Sequence, residues 1–435
     1  MTASERPGLS PRFESELREY LDSEAQSNRP DYLADVLVRS LAMRQRPAWS
    51  FPERWLPMSV TTTRMISPPR VPWRILVLIG LLLLALAGAA LIAGSRPRLP
   101  APYGRAANGL VAYAQNGDIY TVDPTTGIST AIVTGPDDDT SPVWSRDGTR
   151  LVFNRFVSGQ GDSLIVANAD GSQLVTIAPG SVTRIGEPAF SPDGRQILFT
   201  GNDQLWIANV DGTEVHPLVM GLNLDPVLKV SASTPSWLPT GTEVVFAGTA
   251  PGGAGSGIYA ADVATGKVRT ILAPTKGVGR EVPAVSPDGR WIAYSQSRDT
   301  VTDRNSYQIR VVAVDGSSDR ALPMPAGATF QDAPAWSNDG KRIVVTRGYS
   351  TFNQDMAIAI LPADGSGVGV ESQHGLTGCC DTRLEWAPAD DQILVLPEDQ
   401  SQVLTDQLLI DAETGVARPA PWAATSVPAW QRRAP

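Results

Sequence analysis

Two hydrophobic rhythms divide the chain. From Ile75 to Gly94 twenty consecutive residues (ILVLIGLLLLALAGAALIAG) carry no charge, and a helix of that length rises about 30 Å, the thickness of a bilayer core. Arg70, Trp73 and Arg74 border the run on one side and Arg96 and Arg98 on the other, as expected of a helix whose ends sit at two membrane surfaces. The pattern predicts one transmembrane helix over 75–94. It begins only after 74 residues, too far along the chain for a cleaved signal peptide, and is read as an uncleaved anchor.

Beyond residue 108 the rhythm shortens to runs of a few apolar residues between Asp/Gly turns, and one unit recurs seven times. Its first part is an aromatic or apolar residue, usually preceded by Pro-x, then a Ser-Pro-Asp-Gly-like turn and a strand. Pro188-Ala189-Phe190-Ser191-Pro192-Asp193-Gly194 leads into Ile197-Leu198-Phe199, and Pro283-Ala284-Val285-Ser286-Pro287-Asp288-Gly289 into Ile292-Ala293-Tyr294. Other copies centre on Trp144, Trp237, Trp336, Trp386 and Trp430, and the seven centres, with Phe190 and Val285, follow one another at 46, 47, 48, 51, 50 and 44 residues. In the turn, Pro fixes φ, Asp bonds the backbone just ahead of it, and Gly accepts a positive φ. A second Asp/Gly turn closes each unit, at Asp123, Asp170, Asp211, Asp262, Asp315, Asp364 and Asp411. The period fits a four-stranded blade, so the fold class is all-β: a seven-bladed β-propeller over 108–435.

The ends of the repeat predict how the ring closes. The first blade starts at Gly109-Leu110-Val111-Ala112-Tyr113 without a Pro-x-Trp strand before it, while Pro428-Ala429-Trp430 has no hairpin after it. The C-terminal strand is therefore expected beside residues 109–113, removing both exposed edges.

Ahead of the anchor, residues 1–74 show helical spacing at Phe13, Leu17, Tyr20 and Leu21, and again at Leu33, Val36, Leu37 and Leu41 after Arg29-Pro30. Two short amphipathic helices are predicted, which need a partner, a membrane surface or each other. Between anchor and propeller, residues 95–107 hold Pro97, Pro100 and Pro102 and read as an extended spacer.

Charge changes the picture only for partners. The net charge is −9, and residues 75–435 hold 25 basic and 36 acidic side chains with no basic stripe, which argues against nucleic acid. The two cysteines, Cys379 and Cys380, are adjacent, so no disulfide framework spans the fold.

The Pro-x-Trp-Ser-Pro-Asp-Gly turn and the following Ile-x-Phe strand resemble the TolB-like propellers, whose units are WD-repeat-like. The resemblance covers about three quarters of the chain. It implies an extracytoplasmic bacterial protein that binds other proteins, in some members with an ion in the channel. Two features depart from that plan: seven units where well-known members have six, and the N-terminal anchor with its tail. Arg54, Arg64, Arg70 and Arg74 against Arg96, Arg98 and Arg105 give a slight bias toward a cytoplasmic N-terminus. With the resemblance, this places the propeller outside the cytoplasm.

Candidate chemistry is sparse. Asp139, Glu187, Glu281, Asp332 and Asp381 lie just ahead of five inner strands, where a propeller lines the mouth of its channel. If they converge, they form an acidic ring able to hold calcium or a Lys/Arg-bearing peptide tail. The other reading is that they are turn formers neutralised by Arg184, Arg280 and Arg383. The recurring tryptophans read as packing between blades.

Only His216 and His374 occur, so no His-rich zinc cluster can form and no metal ligand set is assigned. His374, Cys379 and Asp381 are too close in one loop to make a persuasive triad, and no G-x-S-x-G elbow is present. The expected function is a non-catalytic, membrane-anchored scaffold for a protein or peptide. The alternatives are a transmembrane sensor whose tail binds a cytoplasmic regulator, as anti-sigma factors do, and, more distantly, a hydrolase.

Overall fold

The computed structural model describes residues 15–16, 18–23, 79–82 and 101–434, apart from 159–160, 178–181, 183–184, 187, 203, 219–228, 231–234, 250–254, 298–306, 350–354, 374–382 and 397–406. The chain divides into two compact units, Met1–Arg96 and Pro97–Pro435. In the first, residues 18–23 are helical with Tyr20 and Leu21 exposed, and so are residues 79–82, with Ile79, Leu81 and Leu82 exposed. Among the described residues no helix is long and apolar enough to cross a membrane. The rest of the 75–94 run and the second tail helix lie outside the described residues.

The second unit is a ring of seven antiparallel sheets, all four-stranded except one of five strands. Blade 2 shows the plan, with Asp138–Trp144 innermost, then Arg150–Val157, Gly161–Asn168 and the outer Val175–Ile177. Blades 3 to 7 follow at 189–217, 229–272, 280–321, 330–371 and 383–419. Blade 1 joins the two chain ends: Ala429–Arg433 is its inner strand and pairs Ala107–Gln115, with Trp430 opposite Val111 and Ala429 opposite Ala112. The predicted closure is thus the observed one.

The central strands of the blades are buried on both faces because their residues alternate between two neighbouring blades. In Gln196–Gly201, Ile197 and Phe199 pack with Val152, Leu164 and Ile177 of blade 2, whereas Leu198 packs with Trp237, Val244 and Phe246 of blade 4. Continuous apolar runs such as Ile-Leu-Phe are what such a site requires.

Five residues join the inner strand to the next in all six blades that have this connection: 145–149, 191–195, 238–242, 286–290, 337–341 and 387–391. Side-chain bonds explain the Ser-x-Asp-Gly signature. The Ser145, Ser191, Ser286 and Ser337 hydroxyls donate to Asp147, Asp193, Asp288 and Asp339 at 2.6–2.7 Å. Each serine oxygen also accepts the N–H that opens the next strand, at 2.9–3.0 Å. Gly148, Gly194, Gly289 and Gly340 sit at φ 68–70°, open to Gly at little cost. Blade 7 breaks the rule: Asp390 occupies that position at φ 62°.

Candidate functional site

The ring has two unlike ends. At the turn end lie the five-residue turns and the Asp/Gly turns; at the mouth end lie the starts of the inner strands and the hairpins joining second to third strands. Those hairpins vary from two residues in blade 1 (116–117) and blade 3 (202–203) to nine in blade 5 (298–306) and eleven in blade 7 (397–407).

The structure places three of the five candidate acids. Asp139 is buried on the inner strand of blade 2, and Arg155 on the neighbouring strand grips it in a two-pronged ion pair, 2.6 Å to Oδ1 and 2.7 Å to Oδ2. Burial pushes its carboxyl above the ordinary range even though Arg155 pulls the other way. Asp332, on the inner strand of blade 6, accepts a 2.5 Å bond from the Ser295 hydroxyl of blade 5 and a 2.7 Å bond from the Ala333 N–H. Glu281 stands opposite that same Ser295 in blade 5 and is partly buried. Glu281 and Asp332 are thus equivalent positions of adjacent blades, two residues before Pro283 and Pro334, while Asp139 lies three before Pro142. Glu187 and Asp381 lie outside the described residues, as do His374, Cys379 and Cys380.

Of the three arginines expected to neutralise these acids, Arg184 and the Arg383 side chain lie outside the described residues. Arg280 turns away from Glu281 to the carbonyls of Ser256 and Ala273, at 3.0 and 2.9 Å. Arg155, which the sequence did not single out, neutralises Asp139 because the two face each other across a strand pair.

A shared local device shapes this mouth. The inner strands of blades 2, 5 and 6 slip register after Thr140, Glu281 and Asp332, and Ser141, Val282 and Ala333 adopt φ 51–53° immediately before a proline. A left-handed residue before proline is strained, and such bulges bend the strand and interrupt its pairing, which resumes at Val143, Ala284 and Ala335. Phe156, at the mouth end of a blade 2 strand, is 51% exposed. Its position in an alternating strand is the only sequence signal for it.

At the seams between blades, inner tryptophans reach back to the preceding blade. The indole N–H of Trp144, Trp237, Trp336 and Trp386 donates to the carbonyl of Ala429, Ala189, Ala284 and Ala335 at 2.9–3.2 Å. Trp430 has no such bond: its Nε1 is buried without a partner among the described residues. Instead its backbone N–H donates to the Glu385 carboxylate at 3.0 Å. The residue before the inner aromatic is Ala, Val or Ser in every other blade and Glu only here. That repeat alignment is the signal that could have found Glu385. Burial raises its pKa to about 7, against the pull of the Trp430 N–H and Arg146.

The staple hydrogen bond is worth about 1 kcal/mol. Trp386→Phe is therefore expected to lower stability by about that much more than Trp430→Phe, whose lost donor has no partner, after allowing for equal ring loss. Urea denaturation of both variants checks the order.

The turn end holds the segment leading into the propeller. Ala106 N–H bonds the Pro388 carbonyl at 2.9 Å, and Arg105 pairs with Asp390 and Asp339 at 3.1 and 3.0 Å. Arg432 of the closing strand donates to the Ala101 carbonyl at 3.1 Å, to the Gly104 carbonyl, and to Asn338 at 2.6 Å. Burial and Arg146 lower its pKa to about 10. The described part of the expected spacer, 101–106, is therefore docked on the ring. The exception at Asp390 has a use here, since its carboxylate binds Arg105 as well as the Asn338 and Asp339 N–H groups.

His216 is exposed on an outer strand, its ring nitrogen 2.7 Å from the Glu214 carbonyl. Among the described residues no three His, Cys, Asp or Glu side chains converge.

Comparison with known proteins agrees with this architecture. The TolB beta propeller domain model matches residues 114–339. An uncharacterized protein of Agrobacterium fabrum is 28% identical over 262 residues, covering 58% of this chain and 82% of its own. The Tol-Pal system protein TolB of Francisella tularensis subsp. mediasiatica is 25% identical over 286 residues, 52% of this chain and 61% of that one, so the match spans less than two thirds of TolB. An oligogalacturonate lyase from Vibrio parahaemolyticus superposes with a TM-score of 0.53 at 14% identity, over 75% of this chain and 86% of that one, a likeness of fold alone.

Proposed function

Because this chain belongs to the TolB β-propeller family, we propose that it is a membrane-anchored scaffold which binds a protein or peptide partner at the mouth end of its propeller, outside the cytoplasm, without catalysis. The observation that carries the reading is the contrast between the ends. At the turn end the inner connections are constant at five residues and the outer Asp/Gly connections run only from five to seven, while mouth-end hairpins range from two to eleven. Variation confined to one rim of a rigid scaffold is how recognition surfaces are built.

The 75–94 run and its Arg/Trp flanks support the anchor. Glu281, Asp332 and exposed Phe156 offer the mouth a mixed acidic and aromatic rim, suited to a basic peptide. Exposed Tyr20 and Leu21 on the tail helix support a second reading, in which residues 1–74 dock on a cytoplasmic regulator and the protein is a sensor.

The test is loop exchange. Blade 1 closes its hairpin with Asn116-Gly117 at φ 53° and 83°, a pair suited to a tight two-residue turn. Replacing 298–306 and 397–406 by Asn-Gly, with Gln407 kept for the bond it accepts from Trp422, is expected to leave the melting temperature within a few degrees, since shortening a loop costs little entropy. Capture of the partner from solubilised membranes should fall at least tenfold. Capture at the wild-type level would overturn the assignment of the mouth.

A further inference from the structure

Of the five seams that carry an inner tryptophan, the one that closes the ring alone lacks the indole staple among the described residues. Blades 1 and 2, 3 and 4, 5 and 6, and 6 and 7 are stapled by an indole N–H on the preceding blade, but blades 7 and 1 are not. At this seam, beside Trp430, lies a cavity of about 420 Å³, within the range of small-ligand sites. It opens at the turn end, away from the mouth.

Two carboxylates and two guanidinium groups line that one cavity, from Asp123, Asp391, Arg418 and Arg433. Among the described residues none of the four is in an ion pair. Their hydrogen bonds are to neutral groups: Asp123 accepts from the Thr125 and Thr126 N–H groups, Asp391 from the Asn108 amide, and Arg418 donates to the Gln392 amide. The Arg433 guanidinium is exposed and has no partner among the described residues. Opposite charges lining one cavity usually pair; here the aspartates sit in turns of blades 1 and 7 and the arginines on strands of the same two blades, and the four stand as separate charges. A simple anion meets the two aspartates and a simple cation the two arginines, so neither is favoured. A ligand bearing both charges satisfies all four.

We propose that the closing seam is a second binding site, for a short peptide that sets a cationic group against Asp123 and Asp391 and a carboxylate against Arg418 and Arg433. The two charges come either from the termini of a free peptide or from side chains within a partner protein. The site lies at the opposite end from the mouth and does not depend on the reading of that surface.

The experiment is calorimetric titration of the detergent-solubilised full chain with two probes: unblocked Gly-Gly-Gly, and acetyl-Lys-Gly-Glu-amide. One of them is expected to bind, more weakly at high salt. Asp123→Asn/Asp391→Asn, which keeps the turn acceptors, should weaken that probe at least tenfold, as should Arg418→Gln/Arg433→Gln, with unchanged melting temperatures. Binding of the tripeptide alone assigns a free peptide; binding of the blocked probe assigns a protein segment. If neither probe binds at millimolar concentration, or both double variants bind as the wild type does, the site is wrong. The mouth is tested separately by the loop exchange, which leaves the seam intact.

Discussion

A chain ending at Thr425 is expected to lose its cooperative thermal transition. The truncation removes Ala429–Arg433 and bares the whole edge of Ala107–Gln115, an open invitation to intermolecular pairing. It also withdraws Trp430 from Val111, Tyr113, Leu394 and Leu409, and burying a tryptophan is worth about 3–5 kcal/mol. The Trp144 staple loses the Ala429 carbonyl, and the lead-in segment loses Arg432. Together these approach the whole stability of a typical domain, about 5–15 kcal/mol. Differential scanning calorimetry should show a broad, weak transition and aggregation. Trp430→Ala alone, with the strand retained, should lower the midpoint by several degrees and keep cooperativity. An unchanged melting curve for the truncated chain would refute closure by the C-terminal strand.

Lowering the pH from 8 to 5.5 is expected to stabilise the propeller, and Glu385→Gln should remove most of that gain. The Glu385 carboxyl titrates at about 7 in the fold against 4.5 when free. Between those values the folded chain holds a proton that the unfolded chain has lost, so stability falls as pH rises through about 7. The gain is fully present below the unfolded value. It amounts to about 2 kcal/mol, since the residue keeps some contact with water and Arg146 offsets part of the burial.

The turn aspartates oppose this only in stronger acid. Hydrogen bonds from Ser172, Thr213 and Thr265 hold Asp170, Asp211 and Asp262 below the ordinary carboxylate range. Their contribution is present above the unfolded value and fades as pH drops through their own lower values. The melting temperature should therefore peak in mildly acidic solution, and a flat profile between pH 5.5 and 8 in the wild type would contradict the placement of Glu385.

The blade count and the closing strand were legible in the sequence, because the repeat states its unit seven times and leaves one strand unpartnered at each end; the serine's part in Ser-x-Asp-Gly lies in side-chain bonds that the pattern does not spell out. What escaped was whatever occurs once. Asp139 was counted with the ring acids, but its partner, Arg155, faces it only across a strand pair whose register the sequence does not reveal. Glu281 and Asp332 occupy equivalent steps of neighbouring blades, directly before the bulge, whereas Asp139 lies one step earlier, with Thr140 at the equivalent position. The docking of residues 101–106 depends on Asp390 replacing a glycine, a departure that reads as a defect in the turn until Arg105 is seen against it. Glu385 was legible in principle, as the lone carboxylate in a column of small residues, but the tryptophans that follow that column carry the stronger repeat signal.

The central claim is that the mouth end receives the partner. Site-specific photo-crosslinking in intact cells tests it most directly, with the reactive residue at Phe156 or Glu281 of the mouth, or at Arg195 of the turn end, whose side chain is 85% exposed. Protein adducts from Phe156 and Glu281 with none from Arg195 are the expected result. Adducts from Arg195 alone, or equally from all three, would contradict it.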